Sequence, residues 1–440
     1  MQSHTDFDAD DTVEFPVPVS GDSLPVEIVG RRVRQPRDMF DWERSEARAD
    51  VSAFVGHMND VAKRYPSAAM VKRRLRRRPH GRHCNVDRAM AVLQAVREWA
   101  EKRRGGSAGH DHPPTTTAAE RFGRFHGQLR AEGRALLDRT YNSGCHRVDY
   151  RSVMLPVYLE RSFGDPVAMT YGPEHELSFC VFLVALFKLH RLTWADEPFI
   201  VTVIFDRYLD VVDYVIRSYR LDPTTGDGRG NWCLSGYQFV GFLWGSAQLA
   251  GTFSGDGGDG PDGGAAGLQP MSSPTTAVTD ADACRQHRDE YAFAKCMDAA
   301  HRRAKNGMPL WFHSYQLWNL TGLPRWDRVN GCLMAAYQRD VLGRFEVIRQ
   351  LDFCELFKFA RNVRPPGTSF YDIVPAAPPS DTTMVQTTTD VLADYDDDDD
   401  DDDEKRRITE YGETEDGETD DAVTEDVEET AEDEGLIYYH

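Results

Sequence analysis

His80, His83 and Cys84 fall within the five residues HGRHC, and imidazole with thiolate is a zinc-binding vocabulary. A tetrahedral site needs a fourth ligand and usually a second paired knuckle. Neither is present, and the neighbouring arginines oppose a cation, so the triplet reads as a chance cluster in a basic loop. The stretch PEHEL (173–177) sets Glu174, His175 and Glu176 side by side. That is acid–base material, but it sits at a helix start, where acidic side chains are expected in any case. Gly255-Asp-Gly257-Gly-Asp-Gly260 has the spacing of a dinucleotide loop. Such a loop needs a strand before it and a helix after it. More glycines follow instead, and Asp256 and Asp259 would repel phosphate. No G-x-S-x-G, H-E-x-x-H or P-loop occurs. The chain therefore reads as a non-enzyme with no metal and no cofactor.

Charge is the stronger signal. VKRRLRRRPHGR places Lys72, Arg73, Arg74, Arg76, Arg77, Arg78 and Arg82 within 11 residues. This density suits a nuclear-import signal, a nucleic-acid arm or a solvated helix face paired with acids. At the other end, residues 391–440 hold 24 Asp+Glu against 3 Lys+Arg, including eight consecutive aspartates from Asp396 to Asp403. The first 390 residues balance at 48 acids and 48 bases, so the net charge of −21 belongs to the tail. Apolar side chains are scattered through it, ending in Leu436, Ile437, Tyr438 and Tyr439. Read bottom-up, the tail is either a solubilising extension or an acidic activation segment whose charge keeps those side chains available to partners. Thr430 also lies in an acidic context that suits phosphorylation.

The elements that position these residues read as helical. The predicted helices are a start near Asp41, then 85–104 with Asn85 as N-cap, 118–138, 150–163, 174–194, a segment after Pro198, 284–306 and 327–349. Leu209, Val212, Val215, Ile216 and Tyr219 recur at helical intervals, whereas FIVTVIF (199–205) is β-branched and is also compatible with a short strand. Leu177 to Phe187 is the most apolar run, 11 residues closed by Lys188, against the roughly 20 that a membrane span needs. It reads as a buried central helix, with no membrane span. The eight cysteines sit far apart and read as reduced thiols of an intracellular protein. The acidic N-terminus does not resemble a signal peptide, and the sequon at Asn319 reads as chance.

Six stretches, in order, resemble the alpha trans-inducing factor family of alphaherpesviruses: RFHGQLRAE (124–132), VMLPVYLERSF (153–163), CVFLVALFKLHRLTWA (180–195), NGMPLWFHS (306–314), NGCLMAAYQRDVLGRF (330–345) and ARNVRPPGTSFYDIVPAAPPS (360–380). The resemblance implies a tegument protein that activates immediate-early genes, localised to the virion tegument and the host nucleus. Its implied partners are a host POU-homeodomain transcription factor, the transcription machinery and other tegument proteins, with DNA reached indirectly. Gly367 and Thr368 fall where that family contacts the POU partner and DNA, and Arg361 and Arg364 fall in its basic stretch. The host-cell-factor slot reads Cys354-Glu355-Leu356-Phe357. Phe357 keeps the aromatic, while Glu355 stands out of place for the acid and the histidine is missing, so that partner is doubtful.

The expected fold is mainly α: a single large helical body with few or no strands and a disordered acidic C-terminal tail. Residues 1–38 are expected to be flexible, 39–380 to form the scaffold with a disordered Gly/Asp/Ser-rich insert at 251–283, and 381–440 to form the tail. The expected function is transcriptional activation through the tail. The alternative is a structural tegument or assembly protein whose tail binds other virion or chromatin components.

Overall fold

Helix is the dominant structure in the computed structural model, which describes residues 30–77, 84–104, 117–141, 154–224, 234–253, 270–303 and 309–374. The principal helices are α1 (Glu46–Arg64), α2 (Ala68–Arg77), α3 (Cys84–Arg104), α4 (Ala118–Tyr141), α5 (Leu155–Arg161), α6 (Pro173–Lys188), α7 (Asp206–Tyr219), α8 (Val240–Phe253), α9 (Ala292–Arg303) and α10 (Trp326–Asp340). A short turn of helix, α11 (Phe370–Ile373), follows them. Two strands of two residues each, β1 (Thr170–Tyr171) and β2 (Asp222–Pro223), pair in parallel with Thr170 opposite Asp222.

Helix α1 shows how local signals and packing agree. Ser45 caps it by accepting from the Arg48 N–H, and Val51, Phe54, Val55, Met58 and Ala62 form the apolar stripe expected of a half-buried helix. Helix α6 has no polar stripe; every residue from Pro173 to Phe187 is buried. It is the central helix expected from its composition. It ends at Lys188, six residues short of the predicted Trp194, because His190 takes a left-handed conformation and the Arg191 N–H turns back to the Leu186 carbonyl.

Helix α8 packs against α1, α9 and α10. Its contact with α9 is close because Gly241 and Gly245 face that helix one turn apart. A Cβ on Gly245 would lie 2.0 Å from the Phe293 backbone nitrogen, and one on Gly241 would lie 2.5 Å from the Cys296 sulfur. Asn330 of α10 ties three helices together through bonds to Asn59, the Leu243 carbonyl and Ser246.

Several expectations change. FIVTVIF is no strand: Ile200–Phe205 is a buried π-helical segment running into α7. Inside the core its N–H groups need partners, and continuing the helix supplies them. The predicted insert ended at 283, but Pro274–Thr279 and Ala281–Gln286 are helical, with Asp280 capping the second through the Asp282 and Ala283 N–H groups. Residues 254–269 lie outside the described residues, as do 1–29 and 375–440. Asn85 is not a cap; it lies inside α3 and donates to Asp196. The helix predicted over 150–163 is described only from Leu155 to Arg161. Those predicted over 284–306 and 327–349 are each broken, into Ala281–Gln286 with α9 and into α10 with Phe345–Ile348.

Candidate functional site

The residues with acid–base character that converge in the fold lie at the N-terminus of α6. The chain leaves β1 through Gly172, which is fully extended, and Pro173 starts the helix. A Cβ at Gly172 would meet the Thr224 side chain at 2.6 Å, so only glycine lets β1 and the segment after β2 approach this closely. Thr224 donates its hydroxyl to Glu174 Oε1. Glu174 Oε1 also lies 3.3 Å from His175 Nε2, while His175 Nδ1 lies 2.7 Å from the Arg161 carbonyl. A carbonyl only accepts, so Nδ1 carries a proton. Burial pushes His175 below its ordinary range, with Glu174 pulling the other way. Glu174 Oε2 is buried without a hydrogen-bond partner among the described residues.

Two tyrosines line the same end of α6. Tyr208 donates to the Ser162 carbonyl at 2.8 Å, so Tyr171, 2.8 Å away, donates to Tyr208. Burial pushes both hydroxyls well above their ordinary range. Glu176 faces the other way and caps α8. Its Oε2 accepts from the Phe239 and Val240 N–H groups at 2.7 Å each, and Oε1 from Gly241 at 3.3 Å. Neutral, with its proton on Nδ1, His175 turns Nε2 toward Glu174, whose Oε2 has an unused acceptor position among the described residues. Burial likewise raises the thiols of Cys180, Cys296 and Cys354, and pushes Cys284 up to about 12, so none of these four is a thiolate nucleophile. Among the described residues no group of three or more His, Cys, Asp or Glu is placed to hold a metal.

A second polar cluster lies between α7 and α9. Asp213 binds Arg302 and Arg303, Asp298 binds Arg288 and Arg302, and the buried Lys295 lies between Asp206 and Asp210. Sequence reasoning missed it. The acids of α7 at 206, 210 and 213 share one helical face, and that spacing was the available signal.

Of the residues singled out as a DNA and partner contact, Arg364 and the Gly367–Thr368 turn have structural roles. Arg364 Nη2 binds Asp50 at 2.6 Å and the Glu46 carbonyl, and Lys188 meets the same aspartate. An arginine engaged with a buried carboxylate is not available to phosphate. Arg361 is exposed and its backbone bridges Ser45. Gly367 has φ +78°, and the Thr368 N–H and hydroxyl both return to the Pro365 carbonyl; this is a type II turn that requires glycine at its third position. The strap then seats Phe370 among Phe54, Phe187 and Trp194. In the presumed host-cell-factor slot, Phe357 is core, stacked on Phe353 at 5.7 Å, and Glu355 is exposed between the bridged Cys354 and Phe357.

In the basic run, Lys72 pairs with Asp206 and Arg73 is exposed. Arg74, Arg76 and Arg77 belong to α2 by backbone. Arg78 and Arg82 lie outside the described residues, as do Leu436, Ile437, Tyr438 and Tyr439.

Comparison with known proteins settles the family. The family model described as phosphotyrosyl phosphate activator (PTPA) protein matches residues 29–359. The chain belongs to the PTPA family. The serine/threonine-protein phosphatase 2A activator of Drosophila melanogaster is 34% identical over 207 residues, covering 47% of this chain and 46% of that protein. A probable phosphatase 2A activator 1 of Dictyostelium discoideum is 30% identical over 208 residues, 47% of this chain and 58% of its own. The chain thus spans about half the length of these curated relatives. The phosphatase 2A activator 2 of Yarrowia lipolytica is 27% identical over 342 residues, 76% of this chain and 84% of that protein. A crystal structure of the PP2A phosphatase activator Ypa1 PTPA1 superposes with a TM-score of 0.60 at 17% identity, covering 77% of this chain and 96% of that one, and shares the fold.

PTPA membership overturns the herpesvirus resemblance. With it go the tegument and transcription-activator function, the virion and host-nucleus localisation, and the POU-factor, transcription-machinery and tegument partners. The physical reason lies in what the matched stretches are. CVFLVALFKLHRLTWA is buried from Cys180 to Phe187, and Phe125, Leu129, Leu155 and Leu159 of two others are core. Such words report a helical interior, which unrelated helical proteins also need.

Proposed function

We propose that this chain activates a serine/threonine protein phosphatase 2A by binding it, and carries out no turnover of its own in doing so. The observation that carries this reading is the family match over 29–359, together with relatives whose names are those of phosphatase 2A activators. The test uses the full chain with purified phosphatase 2A catalytic and scaffold subunits. Co-purification and a rise in hydrolysis of a phosphothreonine peptide are expected, with the chain alone releasing no phosphate. Absence of both binding and activation at micromolar concentrations would overturn the reading.

A further inference from the structure

Residues 360–374 form a strap that lies beyond the 29–359 family match. Of these residues only Phe370 and Val374 are buried, so the strap is held at few points. Arg364 is fastened to Asp50, and Phe370 sits among Phe54, Phe187 and Trp194. The third fastening is Tyr371. Its ring stands edge-on to His57 at 4.5 Å and lies 4.3 Å from Trp194. Its hydroxyl donates to Glu197 Oε2 at 3.0 Å, while Glu197 Oε1 lies 3.0 Å from His57 Nε2. Burial, and then the bond to Glu197, push that hydroxyl up to about 12, with Arg64 acting in the opposite sense. It therefore keeps its proton and donates. Glu197 is 5% exposed, whereas Tyr371 is 41% exposed. One end of this bond is fixed in the body and the other rides on a surface segment. A segment with so few buried side chains opens locally at a fraction of the cost of global unfolding.

We propose that Tyr371 is a phosphorylation site and that its modification unfastens the strap. A tyrosine kinase takes the strap in its locally open state. The Tyr371 oxygen bonds to the γ-phosphorus of a nucleoside triphosphate, and the bond from that phosphorus to the bridging oxygen breaks. The nucleoside diphosphate leaves, and the phenol proton passes to a base of the kinase. The product has lost the proton that Glu197 accepted, and about two negative charges stand where the hydroxyl met an enclosed carboxylate. A 3.0 Å contact has no space for the phosphate. Arg64 attracts it, but Arg64 is exposed and screened by water, whereas Glu197 is enclosed. His57 is committed to the other oxygen of Glu197. Tyr315 is also exposed, but it starts a helical turn (Tyr315–Asn319) within the body and offers no extended segment. The proposal stands independently of the phosphatase reading.

The test uses the full chain, magnesium ATP and the purified catalytic domain of a broad-specificity tyrosine kinase, with the synthetic peptide 365–377 as positive control. Mass spectrometry of the digest should place a phosphate on Tyr371. Hydrogen exchange should then quicken by at least about tenfold at the Asp372, Ile373 and Val374 amides, which bond to the Ser369 and Phe370 carbonyls in the fastened strap. Tyr371→Phe, taken through the same treatment, should show no change, which separates this site from any other modified tyrosine. Glu197→Gln leaves an acceptor for the unmodified hydroxyl and removes the opposing charge, so its modified form should exchange close to the unmodified rate. The proposal is overturned if Tyr371 stays unmodified under conditions that convert the peptide fully. It is equally overturned if modification leaves exchange at 372–374 unchanged, or if the modified parent and modified Glu197→Gln open to the same extent.

Discussion

Glu176 offers a measurable contest between burial and hydrogen bonding. Its carboxyl is fully buried, yet three N–H groups at the start of α8 point at it. Burial favours the neutral acid, while the N–H groups favour the carboxylate. Burial prevails and pushes the group from its ordinary 4.5 up to about 7. The geometry accommodates the proton: placed on Oε1 it displaces only the 3.3 Å bond from Gly241 and leaves both 2.7 Å bonds to Oε2 intact. Below pH 4.5 the folded and unfolded chains are both protonated there, and the contribution of this group is fully present. Between 4.5 and about 7 only the unfolded chain releases the proton, so stability falls. The loss accumulates to about 3 kcal/mol and is complete above the folded value. Glu176→Gln mimics the protonated form and does not titrate. Urea unfolding of both proteins from about pH 4 to about pH 8 should show the variant gaining about 3 kcal/mol relative to the parent across that window. A difference that is flat with pH would refute the reasoning. So would one of opposite sign, which would mean that the α8 N–H groups hold the carboxylate ionised. Glu176→Ala is the control. It removes the cap altogether and should be destabilised by about 2 kcal/mol or more at low pH, and because alanine does not titrate, that deficit should shrink across the same pH window as the parent loses its own contribution.

Two further substitutions probe the packing. Asp50→Ala leaves Lys188 and Arg364 without their shared carboxylate, itself 1% exposed. It should cost about 3 kcal/mol in urea unfolding, and about 1 M salt should not restore it, because the pair is screened little by solvent. Gly245→Ala drives a methyl group to 2.0 Å from the Phe293 backbone, which cannot rotate away. A loss of about 3 kcal/mol or more is expected, and unfolding within about 0.5 kcal/mol of the parent would show that α8 and α9 separate freely.

The helical body was largely legible. Leu209, Val212, Val215, Ile216 and Tyr219 are buried on one face of α7 as their spacing requires, and α6 is as enclosed as its composition demands. Periodicity reports which face of a helix is apolar, and a local window contains that information. FIVTVIF shows its limit. β-branched residues fit a strand as well as a crowded helix, and only the surrounding core decided for the helix. Family identity was not legible from the apolar words chosen, because they describe how a helical interior is filled rather than whose interior it is.

What the sequence alone determined is a set of helix-forming segments, a large apolar core and a charge imbalance confined to the last fifty residues. What only the tertiary structure decided is the role of each polar side chain. Arg364 looks like a phosphate contact in its own neighbourhood, yet its partner Asp50 lies 314 residues away. PEHEL looks like an ordinary acidic helix start, yet Glu176 caps a helix more than sixty residues downstream, and Glu174 binds Thr224. A carboxylate or guanidinium takes its function from the group it meets in space, and chain folding sets those meetings at sequence separations that no local pattern encodes.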